Sequence, residues 1–173
     1  MSAEAGPIRN LSGFLSTRYF DFLARATTNS VLEFTIVFPA ARTFVLRLQI
    51  AKDRTGELFV KETDSTGTVI LMEKRERVSS AEIDRFLEVV ERGDFWKLPT
   101  REQADKYIND GSYWFIEGTS QGKYHMVYRR APDSGPFTEI GRCLVKDLAR
   151  LPNSVIRLQD EGRPQLIRRA KPD

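Results

Sequence analysis

Between residues 31 and 74 the chain falls into short runs rich in apolar, β-branched and aromatic residues, cut by small polar breaks. Residues 31–38, 43–51, 57–62 and 68–74 each have the length and composition of a strand. The breaks at 39–41, 52–56 and 64–67 are of hairpin length, so the four strands are expected to fold back on one another as an antiparallel meander. In the second run Phe44, Leu46, Leu48 and Ile50 alternate with Val45, Arg47 and Gln49, a two-residue period that buries one face.

Helical spacing appears on either side of this block. Phe14, Leu15, Tyr19, Phe22, Leu23 and Ala26 predict a short amphipathic helix over 14–26. Over 80–92 the stripe is Ile83, Phe86, Leu87 and Val90. Its start carries a capping box, with Ser79 as cap and Glu82 reaching back, and Val78 is placed to staple onto Ile83. Gly93 is expected to end this helix in the left-handed conformation. Phe95 and Trp96 follow and are expected to tuck against the sheet edge, and residues 100–110 read as a polar loop, a candidate lid.

Two further strands flank the segment 118–122. An odd-length loop there places Trp114, Ile116, Tyr124, Met126 and Tyr128 on one face. Tyr113, Phe115, Glu117, Lys123, His125, Val127 and Arg129 then share the other. A slip of one residue would exchange the faces, and the odd register is preferred because it gathers the apolar set. Pro136 opens a last helix whose stripe is Phe137, Ile140, Gly141, Leu144, Leu148 and Leu151, with Pro152 to stop it. Residues 155–158 and 165–167 read as weak edge strands. The expected fold is therefore α+β, a mainly antiparallel sheet of about six strands with helices packed on one face. Residues 13–158 are expected to form one domain between a disordered lead, 1–12, and a charged tail, 159–173. Strands and helices do not alternate, which argues against a dinucleotide or P-loop fold.

Composition removes more functions than it adds. The 173 residues include 27 Lys and Arg against 24 Asp and Glu, a net charge of +3. The two signs are interleaved, so the contiguous basic stripe needed to track phosphates is missing and nucleic-acid binding is disfavoured. The most apolar run, 31–41, holds Glu33 and Pro39 and is too short to span a bilayer. As written the chain is expected in the cytoplasm, or in the periplasm if a signal peptide precedes it. One cysteine, Cys143, allows no internal disulfide, and together with one histidine, His125, it cannot make a structural zinc site. No metal or other cofactor is expected.

A Cys143–His125 nucleophile pair requires a base within hydrogen-bond reach of a thiol that sits in an apolar helix, and incidental packing is the better account. No G-x-S-x-G elbow is present. The one constellation with chemical content is Glu117, His125 and Arg129, flanked by Tyr113, Phe115 and Lys123. A carboxylate beside an imidazole can raise its pKa and orient it for acid–base work. The plainer reading is a cross-strand contact that pins the register. A third is a protein-binding surface, since Tyr, Phe, Arg and His on one sheet face have hot-spot chemistry.

The run from Asp110 to Gly118, together with Gly122-Lys123-Tyr124-His125 and Arg129, resembles the DGxxWxxEG and GxYHxxxR hairpin strands of a family of uncharacterised bacterial α+β domains. Asp94-Phe95-Trp96-Lys97-Leu98 before it and a helix from Ile140-Gly141 to Leu148-Ala149 after it extend the resemblance over roughly residues 43–151. Arg130 stands where that family has an aromatic. The resemblance implies a bacterial source and the α+β layout, and it carries no established activity.

These readings together favour a non-enzymatic bacterial interaction protein that binds another protein, such as an immunity or inhibitor partner of a secreted toxin or effector. The rivals are a small-ligand binder or enzyme built on Glu117, His125 and Arg129, and an envelope-associated accessory protein.

Overall fold

A computed structural model describes residues 32–38, 42–102, 113–130 and 132–152, and within the first strand the backbone and the Phe34 side chain. The expected helix over 14–26, the lead, the tail, the weak strands after residue 153 and most of the 100–110 loop lie outside the described residues.

Among the described residues six strands form one sheet: β1 (Leu32–Phe38), β2 (Arg42–Ile50), β3 (Gly56–Asp64), β4 (Ile70–Val78), β5 (Tyr113–Ser120) and β6 (Lys123–Arg130). Their spatial order is β4-β3-β2-β1-β5-β6, and each neighbouring pair is antiparallel. The protein is thus an α+β domain with an antiparallel sheet. β1 lies inside the sheet, joining the β2–β4 meander to the β5–β6 hairpin. Among the described residues two helical segments cover one face: α1 (Ser80–Arg92), and α2 (Pro136–Arg142) running into a π turn over Cys143–Leu148.

The core lies between that face and the helices. Phe34, Leu46, Leu48, Leu58, Ile83, Phe86, Ile116, Ile140 and Leu144 are almost wholly buried there. β2 is buried on its other face too, because Thr43, Val45, Arg47 and Gln49 are as inaccessible as the core residues that alternate with them. Its two-residue period therefore marks two kinds of buried surface, one apolar and one mixed.

α1 begins where the cap chemistry places it. The Ser79 side chain accepts from the Glu82 amide, and the Glu82 carboxylate accepts from the Ser79 N–H at 3.0 Å and from its hydroxyl at 2.6 Å. These bonds, the hydroxyl's first, hold the Glu82 carboxyl below its ordinary value of 4.5, with Arg150 adding to them. The favoured form is the carboxylate, so this stabilisation is complete above the unfolded-state pKa and is lost as pH falls through the lowered folded value. Ser79→Ala is expected to cost about 1 kcal/mol at neutral pH. It should also flatten the fall in stability below about pH 4.5, and urea denaturation across that range measures both.

The end of α1 corrects an expectation. Gly93 stays right-handed at φ −78°, and Asp94 takes the left-handed position at φ 47°. Gly93 serves packing instead: a Cβ there would come within 3.2 Å of Ile140 and 3.3 Å of Pro136, so its absence lets α2 close on α1. After Asp94 a single 3-10 turn, Phe95–Lys97, turns the chain beneath β5.

Candidate functional site

The β5–β6 hairpin, where the sequence places its main constellation, takes the other register. Ser120 lies opposite Lys123, Gly118 opposite His125 and Glu117 opposite Met126. The loop is the two-residue Gln121-Gly122, both at positive φ (47° and 78°), and the odd-length loop is not formed. Positive φ at both central residues matches the right-handed twist of the flanking strands, and Gly122 takes its share of it without steric cost. Side chains opposite one another share a face, so Glu117 and His125 are on opposite sides of the sheet.

The core-facing side carries Trp114, Arg129, Ile116, Val127, His125 and Lys123. His125 hydrogen-bonds the Leu98 carbonyl through Nε2 at 3.0 Å, and a carbonyl can only accept, so Nε2 bears the proton. Its ring meets Phe95 edge-on at 5.2 Å and lies 6.4 Å from Trp96. Gly118 makes this nest possible, because a Cβ there would fall 2.8 Å from Phe95 and 3.1 Å from Phe34. Phe95 and Trp96 therefore sit on the sheet face, over Gly118, and do not lie against its edge.

Arg129 is 5% exposed. Its Nη1 donates to the carbonyls of Pro99, Thr100 and Tyr128, its Nε pairs with Glu102 at 3.0 Å, and the guanidinium lies 5.4 Å from the Phe137 ring. The Tyr128 amide also donates to Thr100. Residues 98–102 are thereby strapped along β6. The other terminal nitrogen of Arg129, Nη2, is buried with no hydrogen-bond partner.

The outer side of the hairpin carries Tyr113, Phe115 and Glu117. Tyr113 stacks on Tyr128 at 5.9 Å, Phe115 packs on Tyr128 at 5.0 Å, and Arg130 caps Tyr113. Tyr124 bonds Glu117, and burial together with that carboxylate pushes its phenol well up. Of the six residues singled out as a surface, Phe115 and Arg129 are buried, Tyr113, Glu117 and His125 are half-buried, and only Lys123 is exposed. Glu117 cannot orient His125 from the opposite face.

Cys143 is buried, and its thiol is pushed up to about 12, first by burial and then by the Asp147 carboxylate it bonds. It is a neutral packing group at physiological pH. Among the described residues no cluster of three or more His, Cys, Asp or Glu is placed to hold a metal ion, and no helix is long and apolar enough to cross a membrane.

A different region has the character of a binding site. The corner leading into β4 exposes Val69 and Ile70 at 53% each and Leu71 at 47%. Asp64 builds this corner: its Oδ1 accepts from the Thr68 and Val69 amides and its Oδ2 from Thr66, which lowers its carboxyl below the usual range. β4 is an edge strand, and among the described residues its one neighbour is β3. Past Met72 it reads Glu73-Lys74-Arg75-Glu76-Arg77 before burying Val78. At that far end lies an open groove of about 620 Å³ whose lining mixes Ile50, Ala51 and Val78 with the charged Glu57, Arg77 and Glu82. The sequence signal was the run Val69-Ile70-Leu71-Met72 set directly against a charged run, which is apolar surface without the alternation that would bury it. Compared with family models and with curated proteins, the sequence matches neither.

Proposed function

We propose that the chain is a non-enzymatic protein-binding domain that takes its partner along the β4 edge, beside the 69–71 corner. The observation that carries this reading is three consecutive large apolar side chains, each about half exposed, at the head of an edge strand. Apolar surface of this kind marks interaction sites, and an unpaired strand edge is a template for adding another strand. Inhibition of a secreted effector is one form of the reading, and the net charge of +3 argues against a basic nuclease as that effector. An active site on Glu117, His125 and Arg129 has less support, since Glu117 stands apart and the other two side chains are spent on carbonyls of residues 98–100.

The test is to purify the tagged wild type and the double variant Ile70→Lys/Leu71→Lys side by side. The wild type is expected to hold a stoichiometric partner chain, and the variant to bind it at least about tenfold more weakly. Because both side chains are exposed, thermal stability should change by no more than about 1 kcal/mol. Equal affinity of the two chains for that partner would reject the reading.

A further inference from the structure

Building on that reading, we infer that the partner is a second copy of this chain, joined β4 to β4 in antiparallel fashion about a two-fold axis at Arg75. Two copies of one strand related in this way oppose only residues that face the same side, so the axis must pass beside a residue and the number of registers is small. With the axis at Arg75, Met72 faces the partner's Val78, Glu73 faces the partner's Arg77, and Lys74, which already holds its own Glu76 at 3.0 Å and the Ala149 carbonyl at 2.7 Å, faces the partner's Glu76.

Within each chain β3 already sets Lys61 opposite Glu73 and Glu57 opposite Arg77. One row across the joint therefore reads Lys61, Glu73, the partner's Arg77, the partner's Glu57, with the sign alternating at every step. Moving the axis to Lys74 still sets Glu73 against Arg75 but leaves Glu76 facing Met72. Moving it to Glu76 opposes Arg75 with Arg77. The Arg75 register alone pairs both acidic residues of β4 with basic ones. The like pair at the axis is relieved because each Arg75 bonds its own Glu57 and lies over its own Phe59 ring, 4.9 Å away, drawn back onto β3.

The ends of the strand agree. The apolar corner is at the start of β4 and the groove at its finish, so an antiparallel joint carries each corner to the partner's groove. A bulge at Leu71 sets Ile70 on the face of Thr63 and Glu73, toward the partner's Arg77 and the partner's Glu57, which also line the groove, and Leu71 comes near the partner's Ser79. One projecting patch and one receiving groove per chain are what a closed two-fold interface requires.

The experiment is sedimentation of the full chain from low to high micromolar concentration, with Glu73→Arg, Arg77→Glu and the double charge swap. The wild type is expected to be a concentration-dependent dimer. Each single variant changes two symmetric contacts to like charges and should raise the dissociation constant at least about tenfold, and the double swap should restore it. A wild type monomeric throughout, or a Glu73→Arg chain that dimerises as well as the wild type, overturns the inference. The broader reading is judged apart from it. A monomeric chain that binds a different protein through Ile70 and Leu71 ends self-association and leaves the edge as a binding site, whereas a monomer with no Ile70- or Leu71-dependent partner ends both.

Discussion

Replacing Arg129 with alanine is expected to lower the unfolding free energy by about 2–4 kcal/mol and to release residues 98–102 from β6. The guanidinium gathers three carbonyls and the Glu102 carboxylate around one buried fork. Alanine leaves those carbonyls without their donor and strips the Phe137 ring of its covering cation. Glu102 is more than half exposed, so its charge returns to water and adds little to the loss. The buried, unpartnered Nη2 already weighs against the native state and keeps the expected cost below that of a fully satisfied arginine. Urea denaturation gives the stability change. Hydrogen exchange at the Tyr128 amide, which donates to Thr100, reports the release of the strap. Exchange there as slow as in the wild type would show that residues 98–102 are held by something other than Arg129.

Phe95→Ala should cost more, about 3–5 kcal/mol. The ring is wholly buried and meets Phe34 at 5.5 Å, Trp96 at 5.3 Å and His125 at 5.2 Å, all near edge-on. It fills the space that the missing side chain of Gly118 leaves above β5. Removing it opens a cavity bounded by the sheet backbone, which cannot collapse to fill it. Phe95→Leu keeps most of the volume and is expected to cost about 1 kcal/mol. A loss under about 1.5 kcal/mol for the alanine variant would mean that the 3-10 turn is peripheral to the core.

How much of this was readable in the chain depends on where local chemistry decides. The start of α1 was legible to the residue because Ser79 and Glu82 satisfy each other's backbone, and that needs nothing from the rest of the fold. β2 was legible as a strand, but alternation reports only that two faces differ, so the burial of Arg47 and Gln49 lay beyond it. The second half of β4 was missed because Glu73 to Arg77 carries no apolar period. An edge strand buries little, and its pairing to β3 comes from the backbone. The hairpin register was misread for a narrower reason: grouping the apolar residues outweighed the turn, while Gln121-Gly122 alone decides which face each side chain takes. With the faces exchanged, the apparent Glu117–His125–Arg129 site dissolved. The wide turn at Cys143 was invisible, since Leu144 and Leu148 fit an α-helical stripe equally well.

The placement of β1 also bears on how the molecule comes to be made. Its first edge pairs with β2, which follows within a few residues. Its second edge stays open until β5 arrives, with Leu32 waiting for Ser120. On a ribosome that delivers the chain from its first residue, the four-stranded meander and α1 can form long before the hairpin exists. Throughout that interval an unpaired interior strand faces the crowded surroundings of synthesis. Among the described strands the β1–β5 pairing spans the longest stretch of sequence, the kind of contact that is slow to form and leaves a nascent chain open to wrong neighbours until it closes.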